Sequence, residues 1–421
     1  MFIGLDDTDS PQGMCTTYLA MCISRALQRA GGRVCDMQLV RLNPTIPYKT
    51  RGNAALCIEV HGIDPKWAFF CARDFIARFS DLSCENTNPG LVVCSKRPTP
   101  DFYHRAVTGF CTVEEAKQVV APVAHYIKGW KCERGLIGAV AAVSAVFADW
   151  TWEMLVYRFP ISFGKTRTVD IDTLILADAL TRPHTWDTYD EVERVSVCVP
   201  HTPDPVLYGI RGDSPFAVAR SVGCISAEPM QDMCLFRTNQ GTDAHILDAD
   251  RYPLEDGCSY RISGTVLSEA VTGIGGHVRV EVLCDSITAE GMCTICIPCM
   301  AYEPTKSFRT VIRGLIPGDL VEVYGSYVCG SLNLEKIHLI FCQEKQIMQA
   351  PMCEPCKKRM TSNGTRKGYK CRKCGAKKMT PDAVIQDRDI EPGWYEVSSI
   401  ARRHLAKPLI RGFSRKVGQM F

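Results

Sequence analysis

Near residue 255 the hydrophobic pattern of this 421-residue chain changes period. Before that point, apolar residues recur at helical spacing between short strand-like runs. From about 255 to 345 they alternate one by one, as in Tyr260-Arg261-Ile262-Ser263-Gly264-Thr265-Val266 and Asp319-Leu320-Val321-Glu322-Val323-Tyr324-Gly325. A period of 3.6 presents one face of a helix and a period of two presents one face of a strand, so the regions differ in architecture. Five or so short strands point to a small barrel, of which the OB-fold is a common oligonucleotide-binding form. A structural β-sandwich would satisfy the same pattern.

The earlier region reads as α/β: a strand at 2–5, a helix at about 13–30, strands near 39–42 and 54–60, a helix near 66–79 and a strand at 91–94. Leu19, Cys22, Ile23, Ala26 and Leu27 fall at helical spacing, with Thr16 and Thr17 placed to cap the helix start. A second α/β region, from about 125 to 250, holds an apolar segment at 136–147, strand-like stretches at 152–158 and 233–238, a loop and strand at 200–212, and a helix near 215–221. The stretch 164–191, with scattered acids and Pro183, is the least regular and reads as linker. A chain of this length is expected to form two to four domains. The expected division is 1–124, 125–254, 255–345 and 346–421.

No apolar run reaches the ~18 residues of a membrane span, the longest being 135–148. The first ten residues carry Asp6, Asp7 and Asp9 and no basic residue, unlike a secretory signal. The chain is therefore expected to be cytoplasmic, without membrane association. In a reducing compartment its 23 cysteines read as metal ligands, packing or chemistry rather than as disulfides. Charge is divided unevenly: residues 351–421 hold 17 lysines and arginines against six acids, a charge of +11, which leaves −8 for the rest of a +3 chain. A basic appendage on an acidic body suits a protein that holds a polyanion with one part and does chemistry with another.

Cys353-x2-Cys356 and Cys371-x2-Cys374, separated by 14 residues, have the two-knuckle spacing of a tetrahedral zinc site. Four thiolates leave no open position for water, so Zn²⁺ there would be structural. Cys293, Cys296 and Cys299 resemble iron–sulfur spacing. They lie in a strand-like run, however, where a spacing of three alternates faces, and packing is the expected role. The run Gly4-Leu5-Asp6-Asp7-Thr8-Asp9-Ser10 crowds carboxylates at a strand end just before a helix start. Mg²⁺ binds such carboxylates together with substrate phosphates, and a helix start offers free N–H groups, so the run reads as a nucleotide site. A solvated acidic turn fits the spacing equally well. Arg41, Lys49 and Arg51 are candidate phosphate-binding cations, or else a solvated loop.

Several long motifs carry a resemblance. The acidic run with Gly13-Met14-Cys15-Thr16-Thr17-Tyr18-Leu19-Ala20, the stretch from Arg41 to Asn53, Arg134-Gly135-Leu136-Ile137-Gly138-Ala139, Val206-Leu207-Tyr208-Gly209-Ile210-Arg211-Gly212, Glu303-Pro304-Thr305-Lys306 and Ala401-Arg402-Arg403-His404-Leu405 strongly resemble the archaeal tRNA-isoleucine 2-agmatinylcytidine synthetase family. The resemblance covers essentially the whole chain. It implies a multidomain α+β fold: an ATP-binding kinase-like domain, a ferredoxin-like domain, an OB-fold and a zinc ribbon with a basic tail. It also implies a reaction in which ATP phosphorylates the C2 oxygen of the wobble cytidine of isoleucine tRNA and agmatine displaces the phosphate, giving a base that pairs with adenosine.

On the same resemblance, Asp6, Asp7 and Asp9 would hold Mg²⁺ and the ATP phosphates, and Thr16 is the threonine that becomes phosphorylated. Agmatine is expected where the first two domains meet, with Pro205, Val206, Leu207, Tyr208 and Gly209 as the candidate loop, its carbonyls presented to the ligand. Lys306, Arg309, Arg402, Arg403, Lys407 and Arg411 are the candidate tRNA contacts. No obligatory protein partner is expected. The chain departs from the family mainly in its many extra cysteines. A non-catalytic OB-fold and zinc-ribbon scaffold is the rival from another class, since those parts suffice for RNA binding. A metal-dependent nuclease is a weaker one, because it leaves the helix-start phosphate site unexplained.

Overall fold

The computed structural model describes residues 1–50, 52–288 and 291–412. Arg51 lies outside them. Among the described residues no helix is long and apolar enough to cross a membrane.

Residues 1–240 build one mixed sheet with helices on both faces. Its strands are β1 (Phe2–Asp6), β2 (Arg33–Arg41), β3 (Ala54–His61), β4 (Gly90–Cys94), β5 (Ala124–Gly129), β6 (Thr151–Arg158), β7 (Thr185–Trp186), β10 (Val206–Gly212) and β11 (Met230–Thr238). A short ribbon, β8 (Tyr189–Asp190) with β9 (Val195–Ser196), stands apart. The order across the sheet is β5-β4-β1-β3-β2-β11-β6-β10-β7. Every pairing is antiparallel except β2 with β11, which meet in parallel over Gln38–Arg237 and Leu39–Thr238. That short junction joins two half-sheets. The sheet also runs through the boundary expected after residue 124. β5 pairs with β4, and α5 (Gly135–Ser144) packs on β1, β3 and β4, so both belong to the first half.

The remaining helices are α1 (Thr16–Arg29), α2 (Pro65–Phe79), α3 (Asp101–Thr108), α4 (Val113–Val120), α6 (Ile171–Thr181), α7 (Pro215–Cys224) and α8 (Phe308–Arg313). α1 buries Leu19, Ile23 and Leu27 under the sheet with Ile3 and Leu5 of β1, as the helical spacing predicts. Its cap differs from expectation. Cys15 occupies the cap position without capping a helix amide, its Sγ lying 3.0 Å from Thr17 Oγ1, and the Thr16 hydroxyl accepts from Thr8 Oγ1 at 3.0 Å. The stretch read as linker contains α6, capped by the Asp170 carboxylate on the Asp172 and Thr173 amides. The helix was not legible because its buried face mixes Leu174 and Ala177 with Asp178 and Thr181.

On the opposite face, α5 lies directly on the backbone of β1 and β4. A methyl group on Gly4 would come within 2.2 Å of the Ala139 carbonyl, and one on Gly90 within 2.1 Å of the Gly135 backbone. Bare backbone on both sides lets the helix start slide in beside the end of β1.

The alternating region closes into a ring. β13 (Ser259–Val266), β17 (Leu320–Val328), β18 (Ser331–Phe341), β16 (Gly291–Ala301) and β15 (Val278–Thr288) pair in that order, and β13 also pairs with β15. β12 (Ile246–Asp248) and β14 (Val271–Thr272) flank it. The interior holds Tyr260, Ile262, Val280, Val282, Ile297, Val321, Val323 and Ile337. Cys299 points into this core, as expected from packing. Cys296 is exposed on the other face and Cys293 is partly exposed, so packing does not account for them.

The four-cysteine module is an insertion into this barrel. β19 (Lys345–Gln349) pairs with β23 (Asp382–Gln386), which brings its two ends together, and three two-residue strands lie between them: β20 (Thr361–Ser362), β21 (Tyr369–Lys370) and β22 (Lys377–Lys378). The chain then returns to the barrel as β24 (Gly393–Glu396), paired with β18, and continues onto the large sheet. The segment expected as one ribbon and tail is thus two structures with different neighbours.

Candidate active site and metal centre

The first turn of α5 and the acidic run meet in a cavity of about 180 Å³. Asp6 ends β1; Asp7 follows with φ at +57°, a left-handed conformation that turns the chain sharply. Asp6, Asp7 and Asp9 share the lining with Lys49, Gly52, Asn53, Arg134, Gly135 and Gly138. Asp7 accepts from the Asn88 amide at 3.1 Å and lies 3.7 Å from the Arg134 guanidinium, which in turn sits over the Tyr48 ring.

Burial, with Asp7 and Asp9 alongside, pushes the Asp6 carboxyl well above its usual range. Burial likewise raises Asp7 to about 6, against the opposing pull of Arg134. Carboxyls this reluctant to ionise beside one another fit a divalent cation, whose charge would reverse both effects. The helix start that faces the acids is therefore that of α5, while the expected one, α1, turns its first residues to a second cavity. Of the two expected phosphate cations among the described residues, Lys49 lines the first cavity and Arg41 is held elsewhere.

The second cavity, about 260 Å³, lies between the half-sheets. Its walls come from α1 (Cys15, Thr16, Thr17), from β2 (Arg41), from β6 (Glu153), and from the loop and strand that supply Asp204, Val206, Gly209 and Arg211. Asp9, Gly52 and Ala54 border both cavities, so the two spaces adjoin. Glu153 is buried and accepts from Arg211 Nε at 3.1 Å and from Gln240 Nε2 at 2.6 Å, with Arg41 at 3.9 Å. Burial lowers Arg41 to about 10, which leaves it a cation at neutral pH.

The structure redraws the expected amine loop. Val206 and Gly209 face the cavity, whereas Leu207 and Tyr208 are buried in a separate core with Val156 and Ile210, and Pro205 is not among the lining residues. Leu207 and Tyr208 turn away because 206–212 is a strand whose register shifts at this point. The loop carbonyls do bind a guanidinium, but it belongs to Arg167. That side chain donates to the carbonyls of Val206 and Pro200 at 2.8 Å and of Asp204 at 3.0 Å.

In the inserted module, the Sγ atoms of Cys353, Cys356, Cys371 and Cys374 all lie within 4.8 Å of one another, the only such group of metal-ligand type among the described residues. The two knuckles repeat one pattern. The Lys357 and Gly375 amides donate to the carbonyls of Cys353 and Cys371 at 2.8 and 2.9 Å, and both donors have positive φ. Amides of Cys374 and Lys373 directed at the Cys371 sulfur lower its pKa to about 6, which favours the thiolate that a metal needs. The apolar cluster here is Cys353, Cys371 and Met360 alone, too little core to hold the module without an ion.

The expected tRNA contacts divide. Arg402 is buried against Asp187, with Glu396 at 2.7 Å, and Arg411 is buried against Asp213 at 2.6 Å and Asp149 at 3.0 Å. Both clamp the returning segment onto the large sheet. Lys306 and Arg403 keep exposed surface, at 37% and 31%. Arg309 and Lys407 are less open, Arg309 donating to the Gly276 carbonyl at 2.8 Å and Lys407 lying 4.0 Å from Asp149. By contrast, the ten lysines and arginines between 357 and 378 are all exposed, with no acid among them.

Three family models match: the TiaS TCKD domain over residues 2–69, the TiaS FLD domain over 133–245 and the TiaS C-terminal zinc ribbon domain over 350–390. The tRNA-isoleucine 2-agmatinylcytidine synthetase TiaS of Methanocorpusculum labreanum is 45% identical over 98% of this chain and 97% of the relative. The chain belongs to the tRNA-isoleucine 2-agmatinylcytidine synthetase family. Among solved structures of that family, the complex of TiaS with its isoleucine tRNA and ATP matches with a TM-score of 0.88 at 40% identity over 98% of both chains. The complex of TiaS with the same tRNA, AMPCPP and agmatine matches with a TM-score of 0.85 at 37% identity, also over 98% of both. Within the family's fold, mixed α+β with a C-terminal zinc ribbon, Glu153, Arg211 and His404 line the second cavity without having been expected there, and Arg167 braces the loop beside it. Glu153 left one signal: it is the only acid in the otherwise apolar run 152–157.

Proposed function

We propose that this chain, like the family to which it belongs, joins agmatine to C2 of the wobble cytidine of isoleucine tRNA at the expense of ATP, which lets the anticodon read AUA. One observation carries this reading: an acid-lined cavity at a helix start and a mixed-charge cavity at the half-sheet junction share Asp9, Gly52 and Ala54. Activation of a base and its attack by an amine need two such adjacent spaces.

Asp6, Asp7 and Asp9 would hold Mg²⁺, whose charge supports transfer of the terminal phosphoryl group of ATP. The α5 start, Lys49 and Arg134 would hold the phosphates, and Thr16, at the edge of the second cavity, would carry a phosphoryl group. The second cavity would take the amine, with Asp9, Glu153 and Asp204 as the acids on its wall. In the ligation step the amine nitrogen bonds to C2, the C2–O bond breaks, and phosphate leaves with that oxygen and its electron pair. The first half-sheet then serves as the kinase-like domain, the second as the ferredoxin-like domain and the closed ring as the OB-fold.

The ribbon, with Zn²⁺ in its four cysteines, would bind tRNA through its exposed basic face, joined by Lys306, Arg309, Arg403 and Lys407. Arg402 and Arg411 are assigned to docking instead. Work on tRNA fits a cytoplasmic location. The test is mass analysis of nucleosides from the isoleucine tRNA incubated with the protein, ATP and agmatine. A cytidine enlarged by agmatine less water is expected; an unmodified cytidine would favour the binding-scaffold reading, and cleaved RNA the nuclease.

A further inference from the structure

The segment that returns from the ribbon reaches the second cavity and contributes His404 to its wall. The same imidazole lines a third cavity, about 220 Å³, between Lys49, Asn53 and Arg403. Its Cδ2 and Nε2 edge stands against Gly52, where even a methyl group would come within 3.0 Å, and Gly52 borders the first cavity as well. His404 is thus placed where all three spaces meet. It is rigidly held: its carbonyl accepts from the Gly241 amide at 2.8 Å, and that of Leu405 accepts from Thr242 and Asp243 at 3.1 and 2.9 Å. Yet its buried Nδ1 has no hydrogen-bond partner among the described residues. An unpaired buried ring nitrogen is costly, and a donor brought into the cavities that this imidazole lines would relieve that cost.

We propose that His404 takes the proton from the primary amine as that amine attacks C2. The proposal rests on the ligase reading. The amine must lose one proton as its nitrogen bonds to carbon, because phosphate leaves with the C2 oxygen and the electron pair of the broken bond. The imidazole accepts that proton and passes it to solvent through the third cavity. Arg41 from β2, Lys49 and Arg403 line the third cavity with the ring, and Arg211 from β10 lines the second with it. Glu153 and Asp204, the buried acids on this wall, are already matched, Glu153 to Arg41 and Arg211 and Asp204 to Arg167. Burial together with Arg41, Arg211 and Lys49 holds the histidine well below its usual range, so at neutral pH it is a free base. The same field disfavours an ammonium, helping an alkylamine, whose ordinary pKa is about 10.4 when lysine-like, to enter uncharged.

The test compares wild type with His404→Asn, whose amide stands near the Nδ1 position but takes no proton, and with His404→Gln. ADP formation and agmatine adduct are measured in one reaction across pH 6–9. In both variants tRNA-dependent ADP formation is expected to stay within about twofold, while adduct formation falls by on the order of 100-fold, the usual scale for losing a positioned base. The variants' residual ligation should climb with pH where wild type is flat, and added imidazole should restore part of it. Unchanged adduct formation with the wild-type pH profile would overturn the proposal. So would equal loss of both activities without imidazole rescue, which would make His404 a docking residue. A wild-type chain that consumes ATP without forming any adduct would instead sink the ligase reading itself.

Discussion

Asp7 shows how burial sets the chemistry of a single carboxyl. Between its ordinary 3.8 and its raised value of about 6, the folded protein holds a proton that the unfolded chain has released. Metal-free protein therefore loses stability as pH rises through that window, and Mg²⁺ should give it back. In Asp7→Asn this contribution is absent. Its melting temperature should fall less than that of wild type between pH 4 and 6.5, and its ATP consumption should be nearly abolished, both readable from calorimetry and ADP release. A neighbouring position tests the same site by volume. A methyl group on Gly138 would sit 1.8 Å from the Asp6 carboxylate, so Gly138→Ala must displace one or the other. An overpacking cost of ~1–3 kcal/mol is expected, with ATP turnover reduced more than tRNA binding. The acids themselves were legible in sequence, because three carboxylates at a strand end are chemically conspicuous. Glu153 and Arg211 were not, since their significance lies in pairing across strands 58 residues apart.

At the scale of elements, the ribbon is the most separable part. Gln349 and Asp382 face each other in register at its base, so replacing 350–381 by a short glycine link should leave both the barrel and the returning segment in place. The excised protein should still bind ATP but bind tRNA more weakly, its salt dependence flattening by about one unit for each phosphate contact removed. Equal tRNA affinity in a salt titration would show that the ribbon is not an RNA contact. The four cysteines were readable because their spacing is local. α6 was not, because a helix whose buried stripe is half polar lacks the periodic signal, and the closure of the ring between β13 and β15 is a long-range pairing that no local pattern encodes.

In the whole molecule, one arginine ties distant parts together. Arg402 sits against Asp187, 215 residues earlier, and against Glu396. In sequence it looked like one more cation for RNA; only the fold reveals its partners. Burial holds Asp187 above the usual carboxylate range even with Arg402 and Arg211 beside it. Arg402→Met would leave that acid without its closest cation, a change that typically costs about 3–5 kcal/mol. A lower urea midpoint and new protease cuts between 393 and 411 are the expected outcome, with agmatine transfer lost as His404 leaves its place. Unaltered transfer would mean that the returning segment is dispensable for chemistry.

That return also orders events during synthesis. The acidic run and both half-sheets leave the ribosome long before residues 393–411, so a growing chain has its acid-lined cavity folded while the second cavity lacks a wall. On the proposed reading, interrupted translation would release fragments with the acid-lined cavity but without His404, unable to finish a modification. On that reading activity would become a property of the chain only once its last clasp is made.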